Sequence, residues 1–528
     1  MNSNYPDAVS VNEDAGTGES ATISRRELIT AAGLGLPPLG LAACASPSGA
    51  PPRAPVTPMD ASISRQALSQ PVYYSTASAL ARAIRSGELT SEAVVTACLE
   101  RIEAVNGMLN AVVQLDGEQA LAQAGAADRA LARGDAAGPL HGVPMTIKDS
   151  LDTAGMISTG GTLGRAAFVP GKDATVVRRL RDAGAVLMGK TNTPELTLSF
   201  DTNNRVYGQT FNPHDLSRSP GGSSGGAAAI VAAGGSPFDI GSDYGGSIRL
   251  PAHVNGICGL KPTAGRVSRS GHIFPFGGVQ DAFQQLGPLA RGVEDLALLL
   301  RIIQGPDGID PGALPLESHD PDTVDLSDLR VAWFDDNGIA EPTPETREAV
   351  RVAARSLAEG GIPVSSDRPG SIGQTLDVTL PIYFWDGGAS VRRLLRAYGT
   401  TEHTLSAITG SEALTAEQFD AAHARLDAWR SEMLSFLDRY DVLLCPVNAH
   451  PAFRPGAGAD PEMMAWASYA FTFNATGWPA VVVPVSRSAD GLPIGIQVVA
   501  GPGREDRALA VAGRIERLVG GYQRPSLA

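Results

Sequence analysis

The chain has 528 residues, of which 43% are hydrophobic and 19% charged, a composition that argues against extended disorder or a fibrous structure. The formal net charge of -14 disfavours contact with a phosphate backbone, so nucleic acid is not an expected partner. The four cysteines, Cys44, Cys98, Cys258 and Cys445, lack the close spacing of a zinc site or a disulfide framework. We therefore predict no metal site and no cofactor.

Residues 1–45 are predicted to be an export signal. The pair Arg25-Arg26 precedes a short apolar stretch at 28–43, an order typical of a twin-arginine signal. The stretch ends at Cys44, a candidate for lipidation, although the small residues before it would also suit an ordinary signal peptidase. An N-terminal helix with an incidental arginine pair is the alternative. We expect an exported protein of the periplasm or cell envelope, either lipid-anchored or free.

Residues 46–72 are rich in Pro, Ala and Ser, which predicts an extended tether. Such a spacer suits an enzyme held away from a membrane, so a membrane tether through the N-terminus is an expectation. The oligomeric state is left open by the sequence.

From residue 76 onward, predicted helices alternate with predicted strands. Apolar residues at helical spacing predict two helices across 76–105, separated at Ser86-Gly87. Further predicted elements are a strand at 109–115, a helix at 118–133, a strand at 142–147, a helix at 174–183 and a strand at 185–188. This alternation favours an α/β fold.

The second half of the chain repeats both element types. Residues 305–328 are polar and rich in Pro and Asp, which indicates a surface excursion rather than a domain boundary. Helical patterns resume at 345–360 and 391–439, and strand-like segments return at 442–445 and 480–485. We therefore predict one catalytic domain, residues 73–522, in which both halves contribute to one sheet.

Lysine usage points to Lys148 as a candidate base. Only four of the 42 basic residues are lysines, and one of them closes the apolar strand predicted at 142–147. An arginine stays protonated in proteins, whereas a desolvated lysine can lose its proton near neutral pH. A surface lysine at a strand end is the alternative.

The segment 219–226 reads Ser-Pro-Gly-Gly-Ser-Ser-Gly-Gly and precedes a helical run at 227–233. Glycines allow close approach, and the start of the helix points free N–H groups toward the serines. Ser223 is therefore well placed for chemistry, although a flexible loop or a helix cap would have the same composition. The segment also matches the nucleophile elbow of α/β-hydrolases, but the Pro-containing stretch before it makes a poor strand.

A third segment, 238–251, runs from a short strand into Gly245-Gly246-Ser247. Successive backbone N–H groups there would hold a developing oxyanion beside a serine nucleophile. A structural turn, with Arg249 paired to a carboxylate, is the alternative.

Together these segments resemble the amidase signature family over roughly residues 75–517, with an interruption around 305–450. The residues that carry the resemblance are Gly142-Val143-Pro144, Lys148-Asp149, Gly189-Lys190-Thr191-Asn192, the loop at 219–226, Gly245-Gly246-Ser247-Ile248-Arg249, Gly259-Leu260-Lys261-Pro262-Thr263, the run from Asn474 to Ala480, and the run from Gly491 to Gln497. The resemblance implies an α/β amidase signature fold with one large mixed central β-sheet flanked by helices.

The resemblance also implies a Ser-cisSer-Lys triad that hydrolyses a carbon-nitrogen amide bond. Ser247 would attack the amide carbonyl, and Ser223, which follows a cis peptide bond, would pass the proton toward Lys148. The backbone N–H groups of Tyr244, Gly245, Gly246 and Ser247 would bind the oxyanion. Ser224, Asp243 and Arg249 would support the site without reacting.

The chain departs from the common family pattern at Ala227 and at Tyr244. Neither position belongs to the triad, and we expect the bulky Tyr244 to narrow the acyl pocket. Aromatic residues between 305 and 450 are candidates to line that pocket, although aromatic residues on helices more often belong to the core: Tyr383, Phe384, Trp385 and Trp429.

Three functions remain open at this level. The main hypothesis is an exported amidase for a small-molecule amide, with an esterase or aryl acylamidase on the same fold as a variant. The second is the A-type subunit of a glutamyl-tRNA amidotransferase, which the negative charge and the export signal disfavour. The third is a binding protein without activity, which the presence of all three triad residues disfavours.

Overall fold

The computed structural model describes residues 71–136 and 138–527. The predictions for the export signal, Cys44 and most of the tether lie outside these residues. The helices are α1 (Ala77–Ser86), α2 (Ser91–Leu109), α3 (Gly117–Ala132), α4 (Thr175–Asp182), α5 (Gly225–Ala232), α6 (Arg249–Asn255), α7 (Val293–Ile303), α8 (Pro344–Glu359), α9 (Thr375–Tyr383), α10 (Ala389–Ala397), α11 (Ser406–Thr409), α12 (Ala416–Ser435), α13 (Pro461–Trp466), α14 (Ser468–Ala475) and α15 (Glu505–Val519). The strands of three or more residues are β1 (Val112–Leu115), β2 (Pro144–Lys148), β3 (Val186–Thr191), β4 (Phe238–Asp243), β5 (Cys258–Lys261), β6 (Gln285–Ala290), β7 (Val331–Trp333), β8 (Val364–Ser366), β9 (Val442–Pro446), β10 (Ala480–Arg487) and β11 (Pro493–Ala500).

A mixed sheet of eight strands forms the centre of the fold, in the order β8-β7-β9-β11-β10-β5-β6-β4. The strand pairs β8-β7 and β7-β9 are parallel, and the remaining neighbours are antiparallel. Helices cover its central strands, so the first five residues of β10 are buried, which explains the run Val481–Val483. The predicted large mixed sheet flanked by helices is confirmed.

The strands before residue 200 form a separate sheet, in the order β1-β3-β2. The backbone N–H of Thr146 on β2 donates to the Ser236 hydroxyl, 3.1 Å away, and the Thr146 hydroxyl donates to Asp239 on β4. Side-chain hydrogen bonds therefore connect β2 to the large sheet, in place of the backbone hydrogen bonds that join neighbouring strands. The expectation of one sheet shared by both halves holds only for the strands from residue 238 onward.

The first helices follow their sequence signals closely. Thr76 caps α1, Thr90 caps α2, and Gly87 ends α1 with a φ of 76°, which favours glycine. The helical pattern predicted at 391–439 is instead divided into α10, α11 and α12. Gly399, with a φ of 73°, follows the end of α10, and a capping box at Thr415 starts α12.

Residues 305–328 contain only two short turns of 3-10 helix, and all of them except Asp310 and Ala313 are at least partly exposed, so the predicted surface excursion is confirmed. Cys98, Cys258 and Cys445 are buried free thiols. In the part of the chain that the structure describes, no helix combines the length and the apolar character needed to cross a membrane.

Candidate active site

The amine of Lys148 lies at the centre of the site. Lys148 is the last residue of β2 and is fully buried. Its Nζ is 2.7 Å from the Ser223 Oγ, 2.9 Å from the Ser224 Oγ and 2.9 Å from the Ser242 Oγ. Burial lowers the pKa of Lys148 well below its ordinary value, although the Asp243 and Asp239 carboxylates act in the opposite direction.

The loop before α5 brings Ser223 to this amine. The peptide bond between Gly222 and Ser223 is cis, as predicted. A side chain at position 222 would collide with the neighbouring backbone, because its Cβ would lie 2.7 Å from the Ser199 carbonyl oxygen. Glycine at this position therefore lets the serine loop pack tightly against the segment around Ser199.

Ser247 lies on the loop between β4 and α6. It is 6% exposed, whereas Lys148 and Ser223 are completely buried. The Ser247 carbonyl oxygen accepts a hydrogen bond from the Ser224 N–H at 3.1 Å, which ties the two serine loops together. No described residue hydrogen-bonds to the Ser247 hydroxyl, so the structure joins Lys148 to Ser223 but shows no hydrogen bond between Ser223 and Ser247.

The predicted oxyanion donors belong to residues 244–247, which we name the oxyanion loop. The Gly246 N–H donates to the Asp243 Oδ1 at 2.8 Å, so this predicted donor is already engaged. Among the described residues, none accepts a hydrogen bond from the N–H of Tyr244, Gly245 or Ser247. These three N–H groups are therefore the ones available to a ligand.

Asp243 and Arg249 form a buried ion pair that supports the oxyanion loop. Both are fully buried, and the guanidinium contacts the carboxylate through Nε and Nη2, each at 3.0 Å. Burial alone would raise the pKa of Asp243, but Arg249 lowers it well below its ordinary value. Arg249 also donates to Asn474 and Gln497, so the predicted supporting pair connects the loop to α14 and β11.

Three further residues contribute to the site without having been assigned a role from the sequence: Ser242, Asn474 and Gln497. The Ser242 hydroxyl accepts a hydrogen bond from the Lys148 amine, and its carbonyl accepts from the Ser224 hydroxyl at 3.3 Å. The signal for Asn474 and Gln497 was their place in two of the matching motifs. Buried amides need hydrogen-bond partners, and here those partners are Asp243 and Arg249.

Aromatic rings surround the oxyanion loop. The Tyr383 ring meets the Tyr244 ring edge to face at a centroid distance of 4.8 Å, and Phe274 stacks on Tyr244 at 6.2 Å. Phe471 packs against Gly245, and Phe200 meets Phe471 at 5.9 Å. Phe200, Tyr244, Phe274 and Tyr383 are only partly buried, so part of this aromatic cluster around the oxyanion loop is exposed.

Of the predicted pocket aromatics, Tyr383 reaches the site and Trp429 does not. Trp429 is 2% exposed and donates its indole N–H to the Ser371 carbonyl within a hydrophobic core. Trp385 packs on Phe419, with ring centroids 4.7 Å apart. Across residues 71–136 and 138–527, no group of three or more His, Cys, Asp or Glu side chains is arranged to hold a metal ion.

A mixed eight-stranded sheet combined with a buried lysine and glycine-framed serines defines the amidase signature fold. The sequence model of the Amidase family matches residues 93–509, and the chain belongs to this family of hydrolases that act on carbon-nitrogen amide bonds. The predicted fold and enzyme class are thereby confirmed.

Similar proteins are found among both curated sequences and solved structures. The A-type subunit of the glutamyl-tRNA(Gln) amidotransferase from Moorella thermoacetica is 35% identical over 84% of this chain and 97% of its own length. An acylamidase from Rhodococcus erythropolis is 34% identical over 85% of this chain and 96% of its own length. The structure of 6-aminohexanoate cyclic dimer hydrolase complexed with substrate superposes with a TM-score of 0.77, at 30% identity, over 86% of this chain and 99% of that chain.

Proposed function

We propose that the chain hydrolyses an amide through an acyl-enzyme formed on Ser247. The observation that carries this proposal is the contact of 2.7 Å between the buried Lys148 amine and the Ser223 hydroxyl. A lysine whose pKa is lowered by burial can accept a proton, and a serine beside it can pass one on. No histidine is needed for this relay.

In the first half of the reaction, the Ser247 Oγ bonds to the amide carbonyl carbon. Its proton moves to Ser223 while Ser223 gives its own proton to Lys148. When the carbon-nitrogen bond breaks, the same relay returns a proton to the leaving nitrogen, which departs as ammonia or an amine. Water then attacks the acyl-enzyme by the reverse path and releases a carboxylate.

Negative charge that develops on the carbonyl oxygen needs donors that are already in place. The N–H groups of Tyr244, Gly245 and Ser247 meet this need because they lie on a loop held by the Asp243–Arg249 pair. Fixed donors of this kind stabilise the tetrahedral intermediate without reorganising during the reaction.

The apolar rings around the oxyanion loop favour an amide that carries an apolar alkyl or aryl group. Burying such a group against Tyr244, Phe274 and Tyr383 stabilises the complex by about 25 cal/mol for each square ångström of apolar surface removed from water. An esterase or aryl acylamidase activity would use the same acyl-enzyme and the same rings.

A second candidate function is that of an amidotransferase A-type subunit. It is favoured by the 35% identity to the Moorella protein across almost that protein's full length. In that case the substrate would be a polar amide such as glutamine. The aromatic rings around the oxyanion loop do not match a polar side chain, which is why we place this candidate second.

The test is a hydrolysis screen of the purified chain with anilides, alkyl amides, amino-acid amides, esters and L-glutamine. Apolar amides are expected to turn over fastest, and Ser247→Ala should lower kcat by about 10³-fold or more. Ser217→Ala, at an exposed loop serine, is the matched control and should retain full activity. Turnover that survives in Ser247→Ala would remove Ser247 as nucleophile, and a preference for glutamine would favour the second candidate.

A further inference from the structure

Tyr383 makes a hydrogen bond to the backbone of the oxyanion loop. It is the last residue of α9, which lies in the stretch where the resemblance to the family is interrupted. Its hydroxyl donates to the Tyr244 carbonyl oxygen at 2.5 Å. Burial raises the pKa of Tyr383 well above its ordinary value, so the hydroxyl stays protonated and remains a donor.

The Tyr383 ring is fixed on both sides. It stacks on Phe283 at a centroid distance of 4.9 Å and meets Phe471 edge to face at 5.1 Å. Phe283 is itself 1% exposed, and its carbonyl accepts from Asn474, which also bonds Asp243. The ring therefore has one arrangement in which its hydroxyl can reach the loop.

Gln280 fastens the end of α9 to the same loop. Its Nε2 donates to the carbonyls of Ile382 at 2.9 Å and Tyr383 at 2.7 Å, and its Oε1 accepts from the Tyr244 hydroxyl at 2.5 Å. The side chain and the backbone of Tyr244 are thus both held by residues outside the loop.

The bond to the Tyr244 carbonyl determines the direction of an N–H group. In a trans peptide unit the C=O and N–H point in opposite directions, and the only cis peptide bond among the described residues is Gly222–Ser223. Fixing the Tyr244 carbonyl therefore fixes the Gly245 N–H, which has no acceptor among those residues.

We propose that Tyr383 is a positioning residue for catalysis, which aims the Gly245 N–H at the developing oxyanion by holding the Tyr244 carbonyl. This inference rests on the proposed acyl-enzyme at Ser247. It assigns to the variable segment between 305 and 450 a part in setting the reaction rate as well as in lining the pocket. Tyr383 would act through the loop and would not contact the reacting atoms.

The test is Tyr383→Phe, which keeps the ring and removes only the hydroxyl. Without this hydrogen bond the oxyanion loop would place the Gly245 N–H less accurately, so kcat should fall about tenfold while KM stays within about twofold. The rate at which a fluorophosphonate labels Ser247, followed by intact mass, should fall by a similar factor because that reaction also develops charge on an oxygen at the same place.

Tyr522→Phe is the matched control. The Tyr522 hydroxyl also donates to a backbone carbonyl, that of Ala232 at 2.7 Å, but at the C-terminal end of the chain. The Tyr522→Phe variant should keep the kcat and the labelling rate of the parent. Its loss of thermal stability should be similar to that of Tyr383→Phe. If Tyr383→Phe is recovered poorly, Gln280→Met removes the bonds to the end of α9 and is expected to give the same loss in kcat.

A labelling rate and a kcat within about twofold of the parent would overturn the proposal, as would a rise in KM at constant kcat. The first result would show that the loop needs no such bond, and the second that Tyr383 binds substrate instead. If the parent is labelled at Ser247 but hydrolyses no amide, the proposed function fails, while the labelling rates still decide the role of Tyr383.

Discussion

Lys148 is surrounded by hydroxyl groups and makes no salt bridge with any described carboxylate. A protonated amine in this place would lack the paired anion that normally stabilises a buried charge. The neutral amine, by contrast, can accept a proton from Ser223. The chain otherwise uses arginine for almost all of its positive charge, and arginine cannot supply this chemistry.

The pH dependence of activity should follow Lys148. As pH falls through its lowered pKa, the amine becomes protonated and kcat/KM decreases; as pH rises above that pKa, kcat/KM reaches a plateau. The unfolded chain binds this proton more readily, so stability decreases as pH falls from the ordinary lysine pKa toward the lowered one. A pH–rate profile checks the prediction.

Substitution of Lys148 tests its assignment as the base. Lys148→Met should lower kcat by about 10³-fold, because the proton of Ser247 then has no base to receive it. Lys172→Met, at an exposed lysine, is the control and should behave as the parent. An active Lys148→Met with an unchanged pH profile would show that another group is the base.

Asp243→Asn should destabilise the protein by about 3–5 kcal/mol, because it leaves the Arg249 charge buried without its partner. Denaturant unfolding monitored by intrinsic fluorescence measures the change. The control is Asp490→Asn, since that side chain is 75% exposed and its ion pair with Arg218 is long, at 3.8 Å. Equal unfolding midpoints for the two variants would contradict the structural role of the Asp243–Arg249 pair.

At the scale of elements, α5 can approach β3 only because Gly226 has no side chain. A Cβ at this position would lie 2.7 Å from the Asn192 carbonyl oxygen and 2.8 Å from the Ala111 carbonyl oxygen. Because α5 begins two residues after Ser223, displacement of this helix would move the serine loop relative to Lys148. Packing between elements thus sets a distance within the site.

Gly226→Ala should therefore lower both the thermal midpoint and kcat. Gly107→Ala is the control, because this glycine lies inside α2 with nothing within 4 Å of a Cβ. The control is expected to gain up to about 1 kcal/mol, since alanine favours helix more than glycine does. Thermal unfolding of both variants measures the difference in stability. A Gly226→Ala variant as stable as Gly107→Ala would show that α5 can shift freely.

The sequence predicted several elements with a regular apolar pattern, and the elements that it did not predict include both long ones, such as Glu505–Val519, and very short ones. Strands such as Val331–Trp333 and Val364–Ser366 have three residues each, too few for a period to be seen. The helical pattern is interrupted around Gly399, where the Thr400 hydroxyl contacts Thr162 and Gly164 from a distant part of the chain. The candidate triad could be predicted because its residues lie in sequence motifs. The role of Tyr383 could not, because it depends on a tertiary contact.

At the scale of the whole molecule, we propose that the N-terminal segment directs the chain out of the cytoplasm. The Arg25-Arg26 pair and the apolar stretch after it support this proposal. Replacing both arginines by lysine should retain the protein in the cytoplasm of a host with twin-arginine export. Arg53→Lys, in the predicted tether, is the control and should be exported as the parent is.

Cell fractionation with immunoblotting measures the outcome. Export of the paired-lysine variant at the parental level would exclude a twin-arginine signal. Mass analysis of the exported protein, with Cys44→Ser alongside, then distinguishes a lipid-modified N-terminus from one released by an ordinary signal peptidase.

The site takes its parts from distant stretches of the chain, with Lys148 on the small sheet and Ser247 after a strand of the large one. An uncharged amine is a better nucleophile than an alcohol and would compete for any acyl group within its reach. The Lys148 amine is fully buried and contacts three hydroxyls, whereas Ser247 is 6% exposed, so the proposed mechanism delivers the acyl group to the serine oxygen. In the proposed mechanism each turnover therefore passes through an ester, which water can cleave, and the enzyme avoids the stable amide that would form if its own base were acylated.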